Sequence, residues 1–194
     1  MILKPDLTPE KTLSEIRSVL ARACLDRNHK MRYFTFCTSA PGTAESACRM
    51  VVFRRLIDTW TIRFYTDSRS SKVAELKQNP NCSLLFWNPG NNLQIRMKAE
   101  ARLHHLNKIT SEEWMHIQGS AVKSYSSEVP PGTAIDSPEK AHSRNPEAGP
   151  EFFAVVDCTP FEIRALQLNS SDHLALRFIR EDAAKTWTGG WIVP

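Results

Sequence analysis

No apolar stretch in this 194-residue sequence reaches the roughly 18 residues that a membrane-spanning helix needs. The opening residues, MILKPDLTPEKTL, lack the basic-then-apolar pattern of a secretory leader, so a cytoplasmic protein is expected. Charge of one sign is not in strong excess: 25 Lys and Arg stand against 21 Asp and Glu, a net of +4. That surplus suits a small anionic ligand and falls short of the basic stripe that nucleic acid requires. No CxxC pair occurs among Cys24, Cys37, Cys48, Cys82 and Cys158, which argues against a zinc site and a disulfide framework. Free thiols packing as small hydrophobes are expected instead. A Walker loop, a Rossmann fingerprint and a nucleophile elbow are all missing, and no segment repeats. His104, His105 and His116 have no carboxylate or thiol at ligand spacing on a shared face, so they read as surface histidines and no metal is expected.

What remains is ordinary for one globular domain spanning residues 1–194, with 41% hydrophobic and 24% charged residues. Thr8 and Pro9 open an amphipathic helix to about Leu25, carried by Leu13, Ile16, Val19, Leu20 and Ala23. Strands are predicted from Arg32 to Thr38, Cys48 to Arg55 and Thr59 to Tyr65, the last two joined at Ile57-Asp58. Ser70 to Gln78 reads as a short helix stopped by Asn79-Pro80. Cys82 to Trp87 is apolar but for Ser83, which predicts burial on both faces. Leu93 to His104 alternates cleanly and predicts a half-buried antiparallel strand. A helix is predicted from Thr110 to about Val122, capped by Thr110 or Ser111 with Glu113 near the capping-box position. Glu128 to Pro150 holds five of the twelve prolines and reads as a long loop, a candidate active-site cover. Three strands follow: Phe152 to Leu168, broken near Pro160, then His173 to Arg180 and Thr186 to Val193. Many strands with hairpin-length links predict a mainly β antiparallel barrel or strongly bent sheet flanked by helices. The tryptophans Trp60, Trp87, Trp187 and Trp191 read as packing groups.

The stretch from Arg49 to Lys72 carries the chemistry. Arg49 heads an apolar strand, and a cation there calls for an anionic partner. Ser70 and Ser71 open the short helix, with Arg69 just before it and Lys72 in its first turn. Hydroxyls, helix N–H groups and cations meeting at one point suit a phosphate. A cation opposes the helix dipole there, so an anion would make sense of it. Gln94 could pair with a ring carbonyl or a ring N–H.

Five segments in this order resemble the pyridoxamine 5'-phosphate oxidase-related flavoproteins. They are RMVVFR (Arg49 to Arg54), FYTDSRSSK (Phe64 to Lys72) with AELKQNP, SLLFW, LQIRMKAEARL, and FEIRALQLNSSDHLALRFIRE ending in TWTGGWIVP. The resemblance runs from about Arg32 to Pro194 and is nearer to a divergent branch than to the vitamin B6 enzyme. It implies an antiparallel FMN-binding split β-barrel, FMN as cofactor, and a homodimer with the flavin at its interface. It implies that Arg49 and Lys72 hold the phosphate, with Arg69, Ser70 and Ser71 beside them. Met50, Val51 and Val52 would line the ring, Arg54 would lie on its substrate side, and Tyr65 and Thr66 would flank the ring and ribityl chain. Gln94 would contact the flavin, and Arg177 would reach it from the partner subunit. The implied activity is a flavin-dependent oxidoreductase acting on a small molecule. The alternative is an FMN- or haem-binding stress protein without turnover on the same fold.

The departures concern the substrate. Ser71 replaces an arginine before the phosphate lysine, and Arg54 replaces a lysine. Leu166 or Gln167 stands where a flavin-side tryptophan is found, and Ala175 replaces a histidine. Trp114, Gln118 and Val122 stand where a Tyr, Arg and Ser set is found. Little or no pyridoxine phosphate oxidation is expected. No catalytic side chain stands out, which suits hydride transfer directly to a flavin.

Overall fold

The two-residue period of β6 (Leu93–His105) organises the molecule. Its Leu93, Ile95, Met97, Ala99 and Ala101 are buried, while Arg96, Lys98, Glu100 and Arg102 face out. The computed structural model describes residues 2–39, 42, 45–117, 120–142, 150–169, 172–180 and 186–194. On one edge β6 pairs with β5 (Asn81–Asn88); on the other it pairs along its length with β7 (Phe153–Gln167). β5 pairs with β1 (Tyr33–Ser39), and β1 with β2 (Ser46–Val52), which forms an outer edge.

β7 is long enough to serve two neighbours on its far edge. Its first part pairs with β4 (Thr61–Asp67) and its second with β8 (Leu174–Arg180). The sheet therefore forks, β4 leading to β3 (Arg55–Ile57) and β8 to β9 (Trp187–Ile192). The nine described strands are antiparallel throughout and curl without closing, which is the mainly β split barrel expected from the sequence.

Phenylalanines fill the curl. The Phe34 ring stacks on Phe86 at 4.7 Å and meets Phe64 at 6.0 Å and Phe53 at 6.2 Å edge-on. Each is essentially fully buried, which contributes about 1.5–3 kcal/mol per ring relative to exposure. α1 (Pro9–Leu25) starts at Thr8, whose hydroxyl accepts from the Lys11 N–H. It lays Ile16, Val19, Leu20 and Ala23 against the core. α2 (Ser71–Gln78) buries Val73 and Leu76. Among the described residues, no helix is long and apolar enough to cross a membrane, and no His/Cys/Asp/Glu group could hold a metal.

Several expectations need correction. β5 alternates: Cys82, Leu84 and Phe86 are buried, whereas Trp87 is 40% exposed, so one face alone joins the core. The helix predicted from Thr110 to Val122 is two pieces, α3 (Lys108–Trp114) and α4 (Ser120–Lys123). The cap of α3 is Asn107, in a reciprocal capping box with Thr110, not Thr110 or Ser111 with Glu113. β7 runs through Pro160 without a break. Pro160 sits beside the register shift at Lys98/Ala99, after the β4 pairing ends and before the β8 pairing begins, so its missing N–H leaves no gap in those ladders. His104 is not a surface residue: it is 5% exposed, with Nε2 3.3 Å from Asp157. The predicted 128–150 loop contains a short 3-10 turn at Pro138–His142, and another begins at Pro150 (Pro150–Phe152); residues 143–149 of that loop lie outside the described ones. The five cysteines are free, but Cys48 is exposed instead of packed.

Candidate functional site

β2, β4 and α2 bring Arg49, Thr66, Ser70 and Lys72 together. Arg49 is half-buried on β2, and its guanidinium donates to Glu75 Oε2 at 2.9 Å, to the Ala47 carbonyl at 2.9 Å and to Thr38 Oγ1. Lys72 Nζ donates to Thr66 Oγ1 at 3.0 Å. Burial lowers the Lys72 pKa, and the nearby Arg49 charge lowers it further. Asp67 and Glu75 offset part of this, and an added anion would offset more. Ser70 caps α2 by position only: its hydroxyl donates to the Asp67 carbonyl at 2.7 Å, leaving the first-turn N–H groups without a side-chain cap. Lysine, arginine, a threonine hydroxyl and open helix N–H groups form a donor set that fits a phosphate monoester such as that of FMN.

Other predicted site residues lie close in sequence but have different surroundings. Arg69 is committed elsewhere: it grips Asp67 at 2.7 and 3.0 Å, donates to the Ser127 and Glu128 carbonyls, and lies 3.5 Å over the Phe152 ring. It anchors the segment after α4 to the start of α2. Ser71 is exposed. Val51 joins the core, Val52 is half-buried and Met50 is 61% exposed. Gln94 lies on β6, in register with Trp87 on one side and Leu166 on the other. Gln167 is buried and accepts from the Ile2 N–H, so it serves packing. Arg177 stands apart on β8, its guanidinium 2.6 Å from Glu162. Among the described residues it has no hydrogen bond or ion pair with Arg49, Lys72 or Gln94. Gln118 lies outside the described residues.

Tyr65, which precedes Thr66 on β4, lines a separate cavity of about 300 Å³ that sequence spacing did not reveal. Arg27, Arg32, Arg54 and Arg55 line it, with Tyr65, Tyr125 and His116. Arg32 reaches it because the chain turns from α1 into β1 there, held by its guanidinium on the Cys24 carbonyl and by its own carbonyl on the Phe53 N–H. Arg54 lies 5.2 Å over the Tyr65 ring, and its buried Nε has no partner among the described residues. Burial lowers the Arg32 pKa, and the charges of Arg54 and Arg27 add to it. Arg27, Arg32 and Arg54 form no salt bridge among the described residues.

One carboxylate borders this cluster. Glu113, 3% exposed on α3, binds Arg63 at 2.5 Å and Arg55 at 2.9 Å, and accepts from the Tyr65 hydroxyl. Burial pushes its pKa up, but hydrogen bonds from Tyr65, Arg55 and Arg63 outweigh this and hold the carboxyl below its usual range. Burial, then the Glu113 carboxylate, push the Tyr65 phenol well above its usual value. Tyr65 is therefore a neutral hydrogen-bonding wall of the cavity. A larger cavity, of about 480 Å³, lies between α1 and β9, lined by Leu13, Trp60, Phe178 and Trp187. Its Arg17 is tied to the Thr59 carbonyl, and it shares no residue with the arginine-lined cavity.

Residues 13–105 match the family model for the pyridoxamine 5'-phosphate oxidase FMN-binding domain, and FMN is the cofactor that this match supports. A pyridoxine/pyridoxamine 5'-phosphate oxidase of Salinibacter ruber is 26% identical over 211 residues, covering 91% of this chain and 96% of that protein. Among solved structures, a pyridoxamine 5'-phosphate oxidase-related FMN-binding protein from Nostoc punctiforme aligns with a TM-score of 0.76 and 22% identity, over 97% of this chain and 100% of that one. PhzG from Burkholderia lata, crystallised with tetrahydrophenazine-1-carboxylic acid, aligns with a TM-score of 0.76 and 20% identity, over 99% and 98% of the two chains. At these identities the structural likenesses establish the fold.

Proposed function

We propose that this chain, related to the pyridoxamine 5'-phosphate oxidases through residues 13–105, is an FMN-dependent oxidoreductase acting on a small anionic molecule, and that it works as a homodimer. The observation that carries the reading is the succession of two cationic sites along β2 to β4. Lys72 and Arg49 gather around Thr66, while Arg27, Arg32 and Arg54 surround a cavity walled by Tyr65, the preceding residue.

In this reading Lys72 and Arg49 neutralise the cofactor phosphate, and the open N–H groups of α2 complete its shell. Met50 to Val52 offer the strand along which the ring lies, and Gln94 orients it. Bound FMN would supply the hydride-accepting chemistry of the reaction. Arg27, Arg32 and Arg54 then hold the anionic group of the substrate in the cavity. Arg55 has a lesser part, because Glu113 already compensates it. Arg177 reaches the flavin of the partner subunit, which requires it to exchange Glu162 for a new acceptor. Pyridoxine phosphate is not the proposed substrate. Ala175 is buried where a histidine would contact it, and Trp114 packs against Tyr125 and Phe153.

The test mixes flavin-loaded protein with each compound under anaerobic conditions, the flavin oxidised for oxidisable compounds and photoreduced for reducible ones. Aromatic carboxylates and phosphates with an oxidisable or reducible ring are the compounds to screen. At least one should change the flavin redox state faster than it does with free FMN. Rates equal to those of free FMN for the whole series would remove the enzymatic reading.

A further inference from the structure

Pairing of β1 with β2 sets Cys37 directly opposite Cys48. Their sulfurs lie 2.6 Å apart, closer than two unbonded sulfurs normally approach, and both are free thiols. Directly opposed residues in an antiparallel ladder have Cα atoms about 4.5–5.5 Å apart. That range lies within the roughly 4.4–6.8 Å that a disulfide spans. Cys48 is exposed on the outermost strand, where an oxidant can reach it; Cys37 is half-buried. The other cysteines differ. Cys82 and Cys158 are buried with sulfurs 3.9 Å apart, and Cys24 gives its thiol hydrogen to the Ala21 carbonyl on α1.

We propose that Cys37 and Cys48 are a reversible redox site, closing to a cross-strand disulfide on the hairpin that carries Arg49. The oxidant class is a hydroperoxide, with hydrogen peroxide as the simplest member. The Cys48 thiolate attacks one peroxide oxygen: an S–O bond forms, the O–O bond breaks, and the second oxygen leaves as water. The Cys37 sulfur then attacks the sulfenyl sulfur of Cys48. The S–S bond forms, the S–O bond breaks, and hydroxide leaves as water with the Cys37 proton. Two thiols lose two electrons and two protons, and the peroxide is reduced to two waters. A dithiol reverses the change by exchange. Burial, and then the hydrogen bond with Cys48, push the Cys37 thiol up to about 12 and keep it protonated, so the exposed Cys48 meets the oxidant first.

The position gives the bridge a consequence. Thr38 and Arg49, the next residues along the two strands, hydrogen-bond each other, and both bond Glu75. A covalent link one residue away fixes the strand pair on which the Arg49 guanidinium is mounted. The inference rests on the hairpin alone and stands whether or not FMN binds.

The experiment uses the full chain in its native state, exposed to hydrogen peroxide, then denatured without reductant. The thiol count should fall by two from the five of the reduced chain. Peptide mapping should find Cys37 linked to Cys48, and dithiothreitol should restore all five thiols. Cys37→Ser should abolish the linked peptide and leave Cys48 as a sulfenic acid trapped by dimedone. Cys48→Ser, a change at an exposed position, should also abolish the link. Five thiols surviving in the wild type would overturn the proposal, as would a linked peptide joining Cys82 to Cys158 instead.

Discussion

Replacing Glu113 by Gln changes one atom and removes the one carboxylate shared by Arg55, Arg63 and Tyr65. The side chain is 3% exposed and that of Arg63 is 9% exposed, so water cannot take over the lost interaction. Arg63 keeps Asp157, which it holds through two nitrogens at 2.7 Å each. The cost should therefore fall at the low end of the about 3–5 kcal/mol seen when one partner of a buried pair is removed. About 3 kcal/mol corresponds to a midpoint lowered by roughly 6–12 °C in a chain of this length. Urea unfolding followed by tryptophan fluorescence measures it, with the midpoint shifting and the slope unchanged. The acid limb provides a second readout. The folded pKa of Glu113 lies below its unfolded value, so its stabilisation is present above about pH 4.5 and is lost as pH falls through the folded value. The variant should show a shallower loss in that range. A cost below about 1 kcal/mol, with an unchanged acid limb, would refute the view that Glu113 ties α3 to the sheet by charge.

Three further outcomes follow from the same geometry. Gly189→Ala should destabilise by about 2 kcal/mol or more in urea, because a Cβ there would overlap the Arg177 carbonyl and the Phe178 backbone on β8, neither of which can swing aside. Burial holds the His104 imidazole below its ordinary value despite Asp157, so the unfolded state binds the proton more readily; stability should fall as pH drops below about 6.5, and His104→Gln should flatten that slope. Arg32→Gln should weaken binding of benzoate or inorganic phosphate to the flavin-loaded protein by about tenfold or more, read from the flavin spectrum, since hydrogen bonds to charged groups contribute about 1.5–3 kcal/mol.

The sheet was legible because its central strand announces itself: alternation from Leu93 to His104 can satisfy a half-buried strand and little else. α1 was legible from Thr8-Pro9 and its apolar stripe. β5 misled because every residue from Cys82 to Trp87 except Ser83 is apolar, and composition does not say which face of a strand finds a neighbour. Asn107 took the cap from Thr110 because its side chain accepts from the Thr110 N–H while Thr110 answers its own N–H, a reciprocity that spacing alone left ambiguous. At the site, Arg49 and Lys72 could be read because a cation heading an apolar strand and a cation at a helix start are each locally costly, although the carboxylate that pairs with Arg49, Glu75, was not foreseen. Arg27, Arg32 and Glu113 could not. They come from the α1–β1 turn and from α3, are separated by up to about ninety residues, and obey no period. Only the curling of the sheet brings them to Arg54 and Tyr65.

The central claim is that Arg49 and Lys72 hold the phosphate of FMN. Equilibrium dialysis of the purified chain against FMN, with Lys72→Gln and Arg49→Gln beside it, tests this most directly. The wild type should show a stoichiometric protein-bound flavin spectrum. Affinity should fall by about 10–100-fold in each variant, the range expected for one charge-assisted contact. A wild-type chain that retains no flavin, or variants that bind it as tightly as the wild type, would contradict the account.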